Sequence, residues 1–162
     1  MNEVPIRWRR AVMQDDVEAI QVIVSNCGVF SAEEIDVAVE LAQDALANRG
    51  TSDYHFVLAE RAGLVAGYTC FGRIPLTQER YDLYWIVVDA GTQQQGIASG
   101  LLKETEESVR ELHGKALYAE TSSRAVYTPA QGFYRKHGFA ELARIPNFYS
   151  DGDDKLIYGK TL

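Results

Sequence analysis

The first segment of the sequence that could do chemistry is a polar loop between a predicted strand and a predicted helix. The strand ends at Val87-Val88, and the helix begins within Gln93-Gln94-Gln95-Gly96-Ile97-Ala98-Ser99. The first amide N–H groups of a helix lack intrahelical partners, and the helix dipole adds partial positive charge there. Gly96 and Ala98 keep side-chain bulk away from the backbone that a diphosphate must approach. The loop therefore predicts an anion site suited to phosphate groups.

The same loop has a purely structural interpretation, in which its glycines only turn the chain into the helix. Two better-known phosphate motifs are missing from the sequence. No Gly-x-Gly-x-x-Gly follows a strand, and there is no Gly-x-x-x-x-Gly-Lys-Ser/Thr loop of the nucleoside triphosphate type. The loop alone leaves both interpretations open.

A second segment, Ala130-Gln131-Gly132-Phe133-Tyr134-Arg135-Lys136-His137-Gly138-Phe139, is predicted to be a helix that ends at Gly138. Together the two segments resemble the GNAT superfamily of N-acetyltransferases. The first is similar to that family's acyl-CoA signature, Arg/Gln-x-x-Gly-x-Gly/Ala, although many members have Gly in place of Gln94. The second is similar to the family's hallmark Ala-x-x-x-Tyr-x-x-x-Gly-Phe.

The resemblance implies acetyl-coenzyme A as the co-substrate and no metal. It assigns the contacts with coenzyme A to the end of the strand, the loop, the start of the following helix and the helix of the second segment. In this sequence those residues are Ile86, Val87, Val88, Gln93, Gln94, Gln95, Gly96, Ile97, Ala98, Ser99, Ala130 and Phe133.

The resemblance also implies how the acetyl group is transferred. An amine attacks the thioester, and Tyr134 protonates the departing thiolate or donates a hydrogen bond to it. A phenol has a pKa near 10 and a thiol about 8.5, so the tyrosine is protonated at neutral pH. Glu120 corresponds to the base of members that acetylate protein N-termini, with Asp82 and Tyr84 as alternatives. The structural alternatives are a core-facing Tyr134 and a paired or solvated Glu120.

The acceptor side is predicted from a third segment. Arg144-Ile145-Pro146-Asn147-Phe148-Tyr149 resembles the Arg-x-x-x-Tyr-Tyr segment of the ribosomal-protein N-terminal type, which overhangs the acceptor site. We expect Phe148 and Tyr149 to form a wall of a substrate cleft, together with Tyr84, and with Phe30 and Glu33 opposite. The alternative is that residues 151–154 form only a solvated hairpin turn.

The elements that must position these residues follow from periodicity and boundary signals. Apolar spacing predicts a helix after Asp15-Asp16 and another after the capping box of Ser31 and Glu34. Thr128 and Gln131 predict a third capping box. The sequence predicts a mixed α/β domain with a central sheet of about seven strands and about four helices. The predicted strands are Ile6–Arg10, His55–Glu60, Leu64–Arg73, Tyr81–Asp89, Ala116–Thr121, Phe139–Arg144 and Lys155–Lys160; the last two helices are about Gly96–His113, stopped by Gly114, and Thr128–Gly138.

Composition limits the classes of function. The chain has 162 residues, 46% of them hydrophobic, and a formal net charge of −7. We predict a single domain over residues 1–162, located in the cytoplasm because no signal peptide or spanning segment is evident. The negative charge argues against nucleic-acid or membrane binding. The two cysteines and the scattered histidines do not have metal-ligand spacing.

We therefore expect an N-acetyltransferase that acts on a primary amine, which could be a peptide N-terminus, an amino acid or a small amine. The sequence has no nucleophile arrangement for an acyl-enzyme, so we expect direct attack in a ternary complex. A non-catalytic acyl-CoA sensor or an interaction domain is the alternative. Strand pairing at the sheet edge is common in the family and allows a homodimer.

Overall fold

A computed structural model describes residues 4–92 and 96–162. The predictions for Gln93, Gln94 and Gln95 therefore lie outside the described residues. Within those residues seven strands and four α-helices form, which confirms the predicted mixed α/β class. The strands are β1 (Ile6–Arg9), β2 (His55–Arg61), β3 (Leu64–Arg73), β4 (Arg80–Val88), β5 (Ala116–Ser122), β6 (Ala140–Ser150) and β7 (Asp153–Thr161). The helices are α1 (Gln14–Cys27), α2 (Ala32–Ala47), α3 (Ile97–Glu111) and α4 (Thr128–Lys136).

The strands form one sheet in the order β1-β2-β3-β4-β5-β7-β6. The pairing of β4 with β5 is parallel, and α3 is the crossover between them, as the strand–helix–strand pattern predicted. The chain divides into two compact units. Unit 1 holds the described residues up to Gly72 and those within Trp85–Ser108, and unit 2 holds Arg73–Tyr84 and Val109–Leu162. The prediction of a single domain stays a prediction.

In unit 1, α1 and α2 cover one face of the sheet. Their apolar stripes pack against alternate residues of β2 and β3, as the helical and strand periodicities require. The capping box that starts α2 is confirmed, because Glu34 N–H donates to Ser31 Oγ at 3.2 Å and Ser31 N–H donates to Glu34 Oε2 at 2.7 Å. The buried members of this core are Val12, Ile20, Ile23, Val24, Ala38, Ala42, Phe56, Leu58, Tyr68, Cys70 and Val87.

The start of α1 differs from the prediction. Met13, not Asp15 or Asp16, is the N-cap residue, and Asp16 Oδ2 accepts the N–H of Met13 at 2.6 Å. Asp16 is buried and also accepts two hydrogen bonds from the guanidinium of Arg9, at 2.6 and 2.8 Å. The N-cap position and the third position of the first turn both favour Asp. The sequence alone therefore does not distinguish an Asp at the N-cap from one that hydrogen-bonds back to it.

The connection of β2 to β3 confirms the predicted hairpin. Ala62 and Gly63 have φ values of 51° and 79°, which is the left-handed pair that a two-residue turn between antiparallel strands needs. Glycine adopts this conformation without strain, and Ala62 adopts it at some steric cost.

In unit 2, the residues that end α3 and begin α4 differ from those predicted. His113 takes the left-handed conformation, with φ of 63°, whereas Gly114 is needed for close packing. A Cβ on Gly114 would lie 2.3 Å from Val109 Cγ1 and 2.8 Å from Tyr81 Cδ2. At the start of α4, Tyr127 is the N-cap and Thr128 is already helical, so the predicted third capping box is wrong. Gln131 Nε2 instead donates to the carbonyl of Ser122 at 3.0 Å.

Candidate active site

The predicted phosphate loop enters α3 through Gly96. This glycine has φ of 75°, and a Cβ built on it would have no heavy atom within 4 Å. Gly96 is therefore required for its backbone conformation, since the space around it is open. The carbonyl of Gly96 accepts the N–H of Gly100 at 3.0 Å, so amide groups at the very start of α3 lie before the hydrogen-bonded ladder of the helix. This arrangement fits the predicted binding of a diphosphate.

The strand that leads into this loop is closely packed. Val87 is buried, while Ile86 and Val88 are half-buried. A Cβ on Gly67 of β3 would lie 2.8 Å from the carbonyl oxygen of Val87, so only glycine lets the two strands approach at this point. At the start of α3, Ile97 is buried and forms part of the core, whereas Ala98 and Ser99 are half-buried.

An open cavity of about 650 Å³ lies beside this loop in unit 1, between α1 and the β2–β3 turn. Its charged lining consists of Asp15, Glu18, Asp89 and Arg61, and most of the rest is apolar. Three carboxylates against one guanidinium repel a diphosphate. We therefore do not include this cavity in the predicted phosphate site.

Tyr134, the predicted acid, lies in the last turns of α4 with only 6% of its surface exposed. Its ring packs against Tyr158 of β7 and against Phe139, with ring centroids 5.5 Å apart in both cases. Burial raises the pKa of the Tyr134 phenol above its ordinary value. The Tyr134 side chain is therefore protonated at neutral pH.

The other predicted coenzyme A contacts in unit 2 are on the same helix. Ala130 and Phe133 are half-buried. The ring of Phe133 lies edge-on to Tyr134, with centroids 5.9 Å apart, and tilts against His137 at 4.4 Å. Phe133 thus limits the positions that the Tyr134 ring can take.

The strand register of unit 2 places a second group of predicted residues on the opposite face of the sheet from Tyr134. Asp82 pairs with Tyr118, Glu120 pairs with Ile157, and Ser122 pairs with Lys155. Paired residues point to the same face, and so do residues two apart on one strand. Asp82, Tyr118, Glu120 and Lys155 therefore share one face, whereas Tyr158, which packs on Tyr134, points to the other. We call the first of these the acceptor face.

Two carboxylates and one ammonium group lie together on the acceptor face. Lys155 Nζ contacts Glu120 Oε2 at 2.6 Å, with 15% of the lysine side chain and 47% of the glutamate side chain exposed. Asp82 is half-buried, and its pKa is raised by burial and by the negative charge of Glu120, and lowered in part by Lys155. The face therefore has one carboxylate that is tied to a cation and one that holds a proton more readily than an ordinary aspartate.

The segment predicted to overhang the acceptor differs from the expectation in its structure, and its role at the acceptor stays a prediction. We expected the strand to end at Arg144 and a loop to follow, whereas β6 runs to Ser150 with an irregularity between Ile145 and Ser150. Asn147 there has φ of 54°. Within this bulge Phe148 and Tyr149 are 50% and 48% exposed, with ring centroids 5.1 Å apart. A β-bulge changes the direction of side chains relative to the regular pleat, so these two rings project away from the sheet.

The bulge is anchored by the start of β7, the strand that follows it. Asp154 Oδ1 accepts the N–H of Asn147 at 2.9 Å, and Asp154 Oδ2 accepts Arg144 Nη1 at 3.1 Å. These hydrogen bonds lower the pKa of Asp154, with that of Asn147 the larger cause. Asp153 is buried and accepts a hydrogen bond from Ser122 Oγ. The alternative of a merely solvated turn over residues 151–154 is therefore wrong for Asp153 and Asp154.

Phe148 also covers the ammonium of Lys155, with Nζ 4.3 Å from the ring centroid. An ammonium at this distance from an aromatic face is attracted by the ring quadrupole. The acceptor face of unit 2 thus contains a primary ammonium held between a carboxylate and an aromatic ring.

The remaining predicted acceptor residues lie in separate places. Tyr84 is exposed on β4, two residues after Asp82. In unit 1, Phe30 is half-buried and packs edge-on against Trp85, with centroids 5.0 Å apart, and Glu33 is exposed in the first turn of α2. A cleft shared by these residues with Phe148 and Tyr149 stays a prediction.

Sequence reasoning missed Lys155 as a site residue. It was recognised only as the first residue of a predicted strand. Its role depends on the β5–β7 register and on the bulge that carries Phe148, and neither leaves a pattern in the sequence. In the part of the chain that the structure describes, no group of His, Cys, Asp and Glu side chains could hold a metal ion. None of the described helices is both long and apolar enough to cross a membrane.

Comparison with known proteins defines the class of this protein. The family model of the acetyltransferase (GNAT) domain matches residues 52–141. A solved GNAT-family structure from Desulfovibrio desulfuricans is 39% identical, covers 97% of this chain and 99% of its own, and has a TM-score of 0.95. A search of the curated proteins found no match. The chain therefore belongs to the GNAT family, and it is an acetyl-CoA-dependent N-acetyltransferase, which confirms the resemblance found in the sequence.

More distant solved structures share the fold. A ribosomal-protein-alanine N-acetyltransferase from Brucella melitensis is 24% identical, with coverage of 96% and 99% of the two chains and a TM-score of 0.78. The PaiA N-acetyltransferase from Thermoplasma acidophilum, solved with coenzyme A, is 17% identical, with coverage of 98% and 99% and a TM-score of 0.73.

Proposed function

We propose that this enzyme transfers the acetyl group of acetyl-CoA to a primary amine by direct attack in a ternary complex. The observation that carries the proposal is the acceptor face, where the two carboxylates of Asp82 and Glu120 outnumber the one ammonium of Lys155 beside the exposed rings of Phe148 and Tyr149. Opposite charges attract, so this face favours an acceptor that arrives as an ammonium ion. The same carboxylates can remove a proton from the ammonium, which has no lone pair for attack until it loses one.

On the donor side, the proposal assigns coenzyme A to the backbone at the start of α3, including Gly96, Ile97, Ala98 and Ser99, and to Gln93, Gln94 and Gln95 of the loop. The end of β4 (Ile86, Val87 and Val88) and two residues of α4 (Ala130 and Phe133) complete the set. The left-handed Gly96 and the open space around it support this assignment. Backbone N–H donors bind a diphosphate without the need for a cationic side chain.

The chemical step consists of three proton transfers and one substitution. A carboxylate takes a proton from the acceptor ammonium, and the amine nitrogen then attacks the carbonyl carbon of the thioester. The carbon–sulfur bond breaks, and the electron pair leaves on the sulfur of coenzyme A. Tyr134 donates its phenolic proton, or a hydrogen bond, to that thiolate, and its burial keeps the proton in place beforehand. The attacking nitrogen then loses its second proton to the Tyr134 phenolate or to water, which leaves a neutral amide and the thiol of coenzyme A.

The base is one of the two carboxylates on the acceptor face. Glu120 is the residue that the family resemblance predicts, and Asp82 is the alternative. The structure favours neither by position alone, because strand register places both on the same face. We assign Phe148, Tyr149 and Tyr84 to the acceptor, together with Phe30 and Glu33 of unit 1.

A panel of primary amines tests the proposal. Spermidine, glycinamide, free lysine and a hexapeptide with an N-terminal alanine cover small polyamines, amides, amino acids and peptide N-termini. Release of the coenzyme A thiol and the mass of an acetylated product should both appear with at least one member. N-Acetylated versions of the same compounds are the control, since they lack the free amine. Turnover with alcohols or thiols but with no amine would overturn the proposal.

We also propose that β6 pairs two copies of the chain and that the enzyme acts in the cytoplasm. β6 is at the end of the sheet and is exposed over all of its 11 residues, which include the large side chains Leu142 and Ile145. Such an edge favours strand pairing with a second copy. Light scattering that gives the mass of a monomer at micromolar concentration would contradict the dimer.

The proposed cytoplasmic location is supported by the free thiols of Cys27 and Cys70, which suit a reducing compartment.

A further inference from the structure

The ammonium of Lys155 is the feature of the acceptor face that the proposed reaction does not yet use. Only 15% of its side chain is exposed, and it has two partners there: Glu120 Oε2 at 2.6 Å and the ring of Phe148 at 4.3 Å. A largely buried ammonium is costly unless it is paired, so this lysine and Glu120 hold each other in position. The contact joins β5 to β7 below the bulge of β6.

We propose that Lys155 is a positioning residue, an inference that rests on the proposed function. Lys155 fixes Glu120 as the carboxylate that binds the acceptor ammonium. Asp82 is then the carboxylate that removes the proton. A proton on either oxygen of Glu120 would neutralise the carboxylate and weaken its ion pair with Lys155. The oxygen of Glu120 that does not contact Lys155 remains available to accept a hydrogen bond from the incoming ammonium. Glu120 therefore works as a fixed negative charge, and the proton goes to its neighbour.

Asp82 has the environment that a base requires. It is half-buried, so its charged form is less well solvated than that of a surface aspartate. The charges that face it within unit 2 are Glu120 from β5 and Lys155 from β7, and the first raises its pKa while the second lowers it. Arg80 lies on its own strand and Tyr118 opposite it, both on the same face. A carboxylate whose pKa is raised is a stronger base once it has lost its proton.

Because Glu120 and Lys155 act on Asp82 with opposite sign, their removal must shift its titration in opposite directions. We expect the pKa of Asp82 to rise in Lys155→Met and to fall in Glu120→Gln. Lys155→Arg keeps the positive charge and should leave the pKa of Asp82 near its wild-type value. Lys115→Met is the matched control, since it removes another ion-paired lysine, 2.8 Å from Glu79, away from the acceptor face.

The direct experiment is a pH titration of the Asp82 side-chain carbon by NMR in the full-length enzyme and these four variants, with amide spectra as the check that each is folded. It needs neither acetyl-CoA nor an acceptor, so its result does not depend on whether the proposed reaction is correct. Opposite shifts in Lys155→Met and Glu120→Gln support the inference. An Asp82 that titrates as an ordinary aspartate, or that moves in the same direction in both variants, overturns it.

The kinetic counterpart is the acidic limb of kcat/KM against pH, measured with the best amine of the panel. The limb should disappear in Asp82→Asn, move to higher pH in Lys155→Met and move to lower pH in Glu120→Gln. Glu120→Gln should raise KM for the amine more than it lowers kcat. A limb that survives in Asp82→Asn and disappears in Glu120→Gln would identify Glu120 as the base and overturn the division of roles. Absence of turnover with every amine would instead contradict the proposed function.

Discussion

The start of α3 and the bulge of β6, which we propose to bind the donor and the acceptor, offer different kinds of contact. The start of α3 offers backbone amide groups, and its one special requirement is a left-handed residue, met by Gly96. The bulge of β6 offers side chains, and it places Phe148 over Lys155 through an irregular register, a left-handed Asn147 and hydrogen bonds to Asp154. The first suits a diphosphate that every reaction of the family shares. The second can change with the acceptor without disturbing the first.

The difference shows how one fold can keep its donor and vary its acceptor. Backbone donors tolerate most side-chain changes nearby, provided that the conformation is preserved. A site built from side chains across three strands depends on each partner, since Glu120, Lys155 and Phe148 are held by one another. Substitutions should therefore separate the two regions, with donor binding lost in one and acceptor use lost in the other.

The largest effect is expected at the loop. Gly96→Glu adds a strained left-handed side chain and a negative charge where the diphosphate is proposed to bind, so coenzyme A binding should fall by at least about 100-fold. Isothermal titration with coenzyme A measures this. Gly50→Glu is a matched control, because Gly50 also has positive φ, 82°, and open space around it. If the two variants bind coenzyme A equally well, the loop assignment is wrong.

The second effect separates chemistry from binding. Tyr134→Phe removes the phenolic proton and keeps the ring contacts with Phe139 and Tyr158, so turnover should fall by about 10²- to 10⁴-fold. The affinity for coenzyme A should be nearly unchanged. Tyr158→Phe removes a neighbouring phenol and should leave turnover near wild type. Wild-type turnover in Tyr134→Phe would exclude the acid role, whereas absence of turnover in the wild type itself would favour the sensor alternative.

The third effect is confined to the acceptor. Phe148→Ala removes the aromatic cover of Lys155 and part of the overhang, so KM for the amine should rise about 3- to 30-fold while binding of coenzyme A is retained. Leu76→Ala, a change at another exposed apolar side chain of unit 2, is the control and should alter neither. Loss of coenzyme A binding in Phe148→Ala would show that the two regions are not independent.

The smallest effect is on thermal stability, which Asp82→Asn should raise although it lowers turnover. The pKa of Asp82 is raised in the folded protein, so folding binds its proton more tightly and stability falls as pH rises through the unfolded value near 4. Asp82→Asn removes this cost and should raise Tm at pH 7 by about 1–3 °C while lowering turnover. At pH 3, where the carboxyl is protonated in both states, the gain should vanish. A lower Tm at pH 7 would contradict the assigned environment of Asp82.

The two regions also differ in how much of them the sequence could predict. The order of strands and helices, the Ser31 capping box and the β2–β3 turn follow from local signals, because periodicity and turn chemistry act within a few residues. The phosphate loop was predicted from the same kind of local signal, and its role stays a prediction. The length of β6, the bulge before Ser150 and the contact of Lys155 with Glu120 were not, since they depend on the register between strands that are distant in sequence.

Local signals failed where two roles share one residue type. Asp16 resembles an N-cap but closes the first turn from inside, and Thr128 begins a helix that Gln131 ties to Ser122 rather than to its own cap. At the end of α3 the left-handed residue is His113, and its neighbour Gly114 is the glycine. Close packing against Val109 requires the glycine at position 114. Each of these choices is made by tertiary contacts.

The central claim is that donor and acceptor are bound by different regions and react directly with each other. Initial rates measured while acetyl-CoA and the best amine of the panel are both varied test this most directly. A ternary complex predicts double-reciprocal lines that intersect, and no acetylated enzyme by intact mass when acetyl-CoA is added without amine. Parallel lines together with an acetylated enzyme that passes its acetyl group to the amine would contradict the account.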